Sequence, residues 1–162
     1  MGKNKRSYYY REKNVHENFL DACFNGDLEL VKELLKQGAD INSISLPTKH
    51  RALGLSGMSE NIDLIKFLLD NGLNINQRQE EYENTPLHIA VRYSSVPYSG
   101  LDDESAEIPG LKVIQFLVDN NADVNARDNR NKTPLDYSWY IEIGNILTKA
   151  GAKRSNELEN IN

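Results

Sequence analysis

Three histidines, one cysteine and one tight group of carboxylates are the side chains best equipped for chemistry in this sequence. A metal-dependent hydrolase groups its His, Cys, Asp or Glu ligands at short helical or loop spacings. His16, His50 and His88 are far apart in the chain and share no such spacing. Cys23 stands alone, so it has no internal disulfide partner, and as a nucleophile it would need a base to draw its proton. Asp102, Asp103, Glu104 and Glu107 lie close together. They lack the alternating ligands and central glycine with which an EF-hand loop encloses calcium, and read as a solvated acidic loop. No Gly-x-Gly-x-x-Gly or Walker segment cradles a phosphate. No catalytic, cofactor or metal site is therefore expected.

With enzymology weakly supported, the question becomes what the elements themselves are for. The chain has 162 residues, 39% hydrophobic and 27% charged, enough for one packed domain or a short solenoid and unlike a disordered composition. No apolar run is long enough to span a bilayer, and the basic start lacks the apolar core of a secretory signal. A single cysteine suits a reducing compartment, and the expected location is cytoplasmic. Charge is uneven. Lys3, Lys5, Arg6, Arg11 and Lys13 against Glu12 give residues 1–13 a charge of +4, leaving −9 for the remainder of a chain of net charge −5. An acidic body disfavours nucleic acid and anionic membrane. Residues 1–14 form a basic, tyrosine-rich segment. Its Tyr8, Tyr9 and Tyr10 read either as part of an extra helix or as a short linear motif or modification site.

Internal repetition organises the rest. Gly38-Ala39-Asp40-Ile41-Asn42 recurs as Gly72-Leu73-Asn74-Ile75-Asn76, as Asn121-Ala122-Asp123-Val124-Asn125, and in shortened form as Gly151-Ala152-Lys153. Each copy follows an amphipathic helical run, at 28–36, 62–71, 111–120 and 141–150. The residue opening each copy is Gly, Gly, Asn and Gly, as a left-handed residue just past a helix end requires. A second echo pairs Thr85-Pro86-Leu87-His88-Ile89-Ala90 with Thr133-Pro134-Leu135-Asp136-Tyr137-Ser138. Threonine can cap a helix, and proline in the first turn forfeits no hydrogen bond.

These two signatures, recurring in order, resemble the ankyrin repeat over residues 15–153. The resemblance implies an all-α solenoid of paired antiparallel helices with hairpin-like loops. Its repeats are 15–42, 43–76, 77–125 and 126–153, and 154–162 is a polar tail. Repeat one lacks the Thr-Pro start and reads as an atypical cap, with His16 and Glu17 in it. Repeat two has Arg51, Ala52 and Gly54 where the family has Thr, Pro and His, so its first helix is expected to be poorly pinned, and Gly54 and Gly57 weaken it further. In repeat three the caps lie 49 residues apart against 34 for the preceding pair, an insertion placed at 94–109. Repeat four is about three residues short between its helices and has Asp136 in place of histidine. The resemblance also implies that His88 bonds between repeats as a structural residue. Cys23 occupies a small-residue core position, which implies an inert thiol.

Such stacks usually bind partner proteins on the concave face formed by hairpin tips and first helices. Carried onto this chain, the tips are Glu80, Glu81, Tyr82 and Glu83, then Asn129, Arg130 and Lys132. The first-helix positions are Met58 and Ser59, then Arg92 and Tyr93, then Trp139 and Tyr140. The expected partner-binding residues are Tyr82, Glu83, Arg92, Tyr93, Arg130, Lys132, Trp139 and Tyr140, with Trp139 and Tyr140 also readable as filling for the shortened fourth repeat. The 94–109 loop would extend that surface. The expected function is recognition of another protein, of basic character, by a monomeric chain. The competing reading is a scaffold or subunit that assembles through its end repeats. The degenerate repeats, rich in lysine and asparagine, resemble ankyrin proteins of bacteria and their viruses, among them effectors and toxin-neutralising immunity proteins.

Overall fold

A computed structural model describes residues 14–46, 48–94, 108 and 110–159. The tyrosine-rich head and most of the 94–109 insertion, with its four carboxylates, lie outside the described residues. The helices are α1 (Val15–Asn25), α2 (Leu28–Lys36), α3 (Ala52–Ser56), α4 (Ile62–Asp70), α5 (Pro86–Ser94), α6 (Leu111–Asp119), a 3₁₀ turn (Pro134–Tyr137), α7 (Ile141–Lys149) and α8 (Ser155–Glu159). Among the described residues no strand forms, and one isolated bridge joins Ile44 to Arg51.

The second helices end where their caps dictate. Gly38, Gly72, Asn121 and Gly151 all have positive φ, between 63° and 95°. Each sits in a Schellman arrangement. The amide after it reaches back to Leu34, Leu68, Leu117 or Leu147, at 2.9, 3.2, 2.9 and 2.9 Å. The starts of α2 and α4 are capped by side chains, whereas those of α6 and α7 are not. Asp27 accepts from the Leu30 amide, and Asn61 accepts from that of Leu64.

Packing is sequential. α1 lies on α2 and α3, α3 on α4 and α5, α5 on α6 and the 3₁₀ turn, and α6 on α4 and α7. One continuous core results, with Phe19, Leu53, Leu64, Ile65, Leu68, Leu87, Ile114, Leu117, Ile143 and Leu147 buried across all four repeats. A ladder of side chains stitches successive loops together. Asn76 accepts from the Asp123 amide and Asn125 from that of Lys153, both at 2.8 Å. At the first repeat His16 Nδ1 takes that role, accepting from Asp40 at 3.0 Å, while Asn14 and Glu17 close a capping box over α1.

Three expectations need correction. Met58 and Ser59 do not lie on a first helix, because α3 ends at Ser56. Trp139 and Tyr140 do not either. The three missing residues leave repeat four a single 3₁₀ turn, and Tyr140 instead precedes α7 as its N-cap residue. The tail is not wholly solvated, since Ser155–Glu159 is helical and Ser155 is buried against repeat four.

Candidate functional site

The seam between repeats three and four begins at His88. Its ring is fully buried. Nδ1 accepts from the Thr85 amide at 3.2 Å and lies 2.9 Å from the Thr85 hydroxyl, while Nε2 lies 3.0 Å from the Lys132 carbonyl. A carbonyl can only accept, so the proton sits on Nε2 and the ring is neutral. Burial pushes its pKa below 6.5, and the bond to Lys132 only partly opposes that. His88 is thus a bridge from one repeat to the next hairpin.

The other repeats solve the same problem with different residues. In repeat four Asp136 accepts from the Thr133 amide at 2.9 Å and from the Ser155 amide at 3.0 Å. Here the group across the seam is a donor, so a carboxylate serves where an Nε2–H could not. Burial raises the Asp136 pKa, but the bonds from Thr133 and Ser155 outweigh it and hold the carboxyl below 3.8. In repeat two the buried Gln79 reaches from the following hairpin, and its Oε1 accepts from the Arg51 amide at 2.5 Å. Gly54 makes that possible. A Cβ there would stand 2.6 Å from Ile89 Cδ1 and 3.1 Å from Gln79 Nε2.

Outside this inner layer lies the cluster that can meet a partner. Asp128 Oδ1 accepts from the amides of Arg130 and Lys132, both at 2.9 Å, and Oδ2 accepts from the Tyr137 hydroxyl at 2.5 Å. Burial alone would raise the Asp128 pKa, but the bond from Tyr137 and the two amides bring it below 3.8. Burial and the same bond lift the Tyr137 hydroxyl to about 12. The Arg92 guanidinium lies over the Tyr137 ring at 5.0 Å, and that of Arg130 over Tyr82 at 5.8 Å. Both pairs cross the seam, in opposite directions.

The expected surface residues therefore divide. Tyr82, Arg92 and Arg130 come together, all exposed, and Tyr93 is exposed on α5 beside Arg92. Glu83 is tied to Arg78 at 3.3 Å, and Lys132 points its Nζ at Ser155 Oγ, 3.2 Å away. Trp139 and Tyr140 lie apart from this cluster. With Ile141, Gly144, Lys153 and Arg154 they line a groove of about 440 Å³ at the C-terminal end of the stack. Sequence reasoning missed Tyr137 and Asp128. The available signal was an aromatic hydroxyl at 137, where the first copy of the motif carries Ile89. Cys23 is buried, and burial pushes its thiol up to about 12, so it is unreactive at neutral pH.

Comparison with known families places this geometry. A model of three ankyrin repeats matches residues 19–98, and a single-repeat model matches residues 82–129. The chain belongs to the ankyrin-repeat family. Over 84% of its length this ankyrin stack is 33% identical to the ankyrin repeat, SAM and basic leucine zipper domain-containing protein 1 of Mus musculus, covering 26% of that protein. Over 83% of its length it is 31% identical to the ankyrin repeat and SOCS box protein 6 of Homo sapiens, covering 28% of it. The chain thus spans about a quarter of the length of these curated relatives. Both relatives are mammalian, so the bacterial character read from composition is not borne out. Ankyrin repeats are protein–protein interaction modules, and this chain carries one. No helix among the described residues is long and apolar enough to cross a membrane.

Proposed function

We propose that this ankyrin stack acts by binding a partner protein on the hairpin and first-helix surface of repeats three and four, centred on Tyr82, Arg92, Tyr93 and Arg130. The observation that carries the reading is the pair of exposed guanidinium–tyrosine stacks crossing one seam. Arginine and tyrosine dominate binding hot spots because they offer large contact area at modest entropic cost. The polar groups beneath them are already satisfied by one another, so the platform is held in place before a partner arrives. The reading is of a monomeric binding protein without catalytic function. It includes a reducing cytoplasm, where a lone thiol such as Cys23 stays unpaired. The net negative charge of the body favours a partner whose wider surface is basic.

One observation favours a second reading. Trp139 is 80% exposed and Ile141 74%, at the rim of the C-terminal groove. Apolar side chains so placed suit assembly through the end repeat. Affinity capture from native lysate separates the two. Loss of a captured partner from Tyr82→Ala/Arg92→Glu/Tyr93→Ala, with retention by Trp139→Ala/Ile141→Ser, supports the seam. The reverse pattern supports the end groove and rejects the seam.

A further inference from the structure

The arginines of the hairpin and first-helix surface fall into two groups. Arg51 reaches Glu80 at 3.1 Å, Arg78 reaches Glu83 at 3.3 Å and the Arg127 carbonyl at 2.6 Å, and Arg127 reaches Asn131 at 2.6 Å and Glu159 at 3.9 Å. These guanidiniums are spent on the fold. Arg92 and Arg130 are not. Among the described residues neither side chain donates a hydrogen bond or meets a carboxylate, and each is exposed with a tyrosine ring against it. A guanidinium stacked on a ring still has its in-plane N–H fork, which matches the two oxygens of a carboxylate.

The one carboxylate set in the seam does not neutralise them. Asp128 directs Oδ1 to two backbone amides and Oδ2 to Tyr137. The nearby acids are committed as well, Glu80 to Arg51 and Glu83 to Arg78. Glu81 is exposed and acts, with Arg92, on the field at His50, but makes no ion pair with either arginine. Both guanidiniums also bear on the Tyr137 hydroxyl, so their charges converge on one place.

Building on the seam reading above, we propose that the anchor of the partner is acidic: a segment presenting two Asp or Glu carboxylates, one to Arg92 and one to Arg130. This is compatible with an acidic body. Charges beyond about 8 Å are screened at physiological salt, so the net charge governs the surrounding contact and the seam governs the anchor. The tyrosine rings take up one side of each guanidinium and leave its N–H groups without an acceptor among the described residues, which suits the paired oxygens of a carboxylate.

A short random-peptide library panned against the full chain tests the assignment. Enriched peptides are then synthesised and titrated by fluorescence anisotropy. Peptides carrying at least two Asp or Glu are expected. Their binding should weaken about tenfold or more in Arg92→Gln/Arg130→Gln, recover in part in Arg92→Lys/Arg130→Lys, and be unchanged in Trp139→Ala. The charge-retaining lysine pair and thermal melting of each variant guard against loss of fold. Enrichment of neutral or basic peptides, acidic peptides indifferent to the glutamine pair, or no enrichment at all overturns the acidic anchor. Neutral or basic peptides that are lost on Tyr82→Ala/Tyr93→Ala would leave the seam reading standing. Peptides indifferent to every seam substitution would reject both.

Discussion

At the scale of single residues, one backbone amide at the entry to each first element has to be satisfied; Glu17 does it in repeat one, and three other side chain types do it in the rest. His88 accepts from Thr85, Asp136 from Thr133, and Gln79 from Arg51. Truncating His88 to alanine orphans the buried Thr85 amide and leaves the Lys132 carbonyl with the Asp128 amide alone, and should cost about 2 kcal/mol in urea unfolding. The pH dependence follows from the depressed pKa. Between the folded value and 6.5 the unfolded chain takes up a proton that the folded chain refuses. The His88 contribution is therefore complete above about pH 6.5 and is lost as pH falls through the folded value. His50 is shifted downward as well, first by burial and then by Arg92, and shares the loss. Unfolding midpoints should fall between about pH 7.5 and about pH 5.5, and fall less in His88→Ala. An unchanged slope in that variant would deny His88 the role. Asp128 and Asp136 lie outside this window, since their contributions persist until pH drops below about 3.8. Gly54 makes a sharper test, because sequence and structure disagree on sign. By helix propensity Gly54→Ala stabilises by about 1 kcal/mol. The added Cβ, 2.6 Å from Ile89 Cδ1 and 3.1 Å from Gln79 Nε2, must push both buried side chains aside and disturb the Gln79–Arg51 bond, so the substitution should instead be destabilising by about 1 kcal/mol net, read as a lower denaturation midpoint.

At the scale of elements, the second helices owe their ends to a local device. Gly38, Gly72 and Gly151 have positive φ, and a Cβ at any of them would meet nothing within 4 Å. Alanine there costs backbone strain alone. The three substitutions should each destabilise by about 1 kcal/mol, and a triple variant by nearly the sum, since the sites share no contacts. A markedly larger loss at one of them would show a packing role that the structure lacks. The same locality explains what was legible beforehand. The second helices expected at 28–36, 62–71, 111–120 and 141–150 match α2, α4, α6 and α7 to within one residue, because cap and apolar stripe are written in adjacent positions. The first helices were harder. The start of α3 is held by Gln79, 28 residues away, and the shortened fourth repeat turns once and stops, which displaced Trp139 and Tyr140 from the surface assigned to them. At the candidate site Tyr82, Arg92 and Arg130 were visible because the motif numbers their positions. Asp128 and Tyr137 were not, because their pairing exists only once the hairpin has folded back on the turn.

At the scale of the whole molecule, a stack in which each repeat touches only its neighbours should respond locally to damage at its end. The C-terminal segment offers that damage in controlled form. Ser155 gives its amide to Asp136, its hydroxyl oxygen accepts from Lys132 Nζ, and the Lys153 carbonyl accepts from Thr133 at 2.8 Å. Glu159 accepts from Asn131 at 2.9 Å, while its 3.9 Å approach to Arg127 is an exposed pair of little weight. Deleting residues 154–162 keeps the Thr133–Lys153 bond and the Gly151 cap, but leaves the half-buried Asp136 carboxylate short of one donor. Hydrogen exchange followed by mass spectrometry should then show faster exchange over 134–149, with protection over 52–70 unchanged. That gradient would mean the seam proposed for binding borrows rigidity from α8, because Arg130 and Tyr137 belong to the loosened repeat. Uniform loss of protection would instead show that the four repeats unfold as one cooperative unit, and that the seam is as stable as the core beneath it.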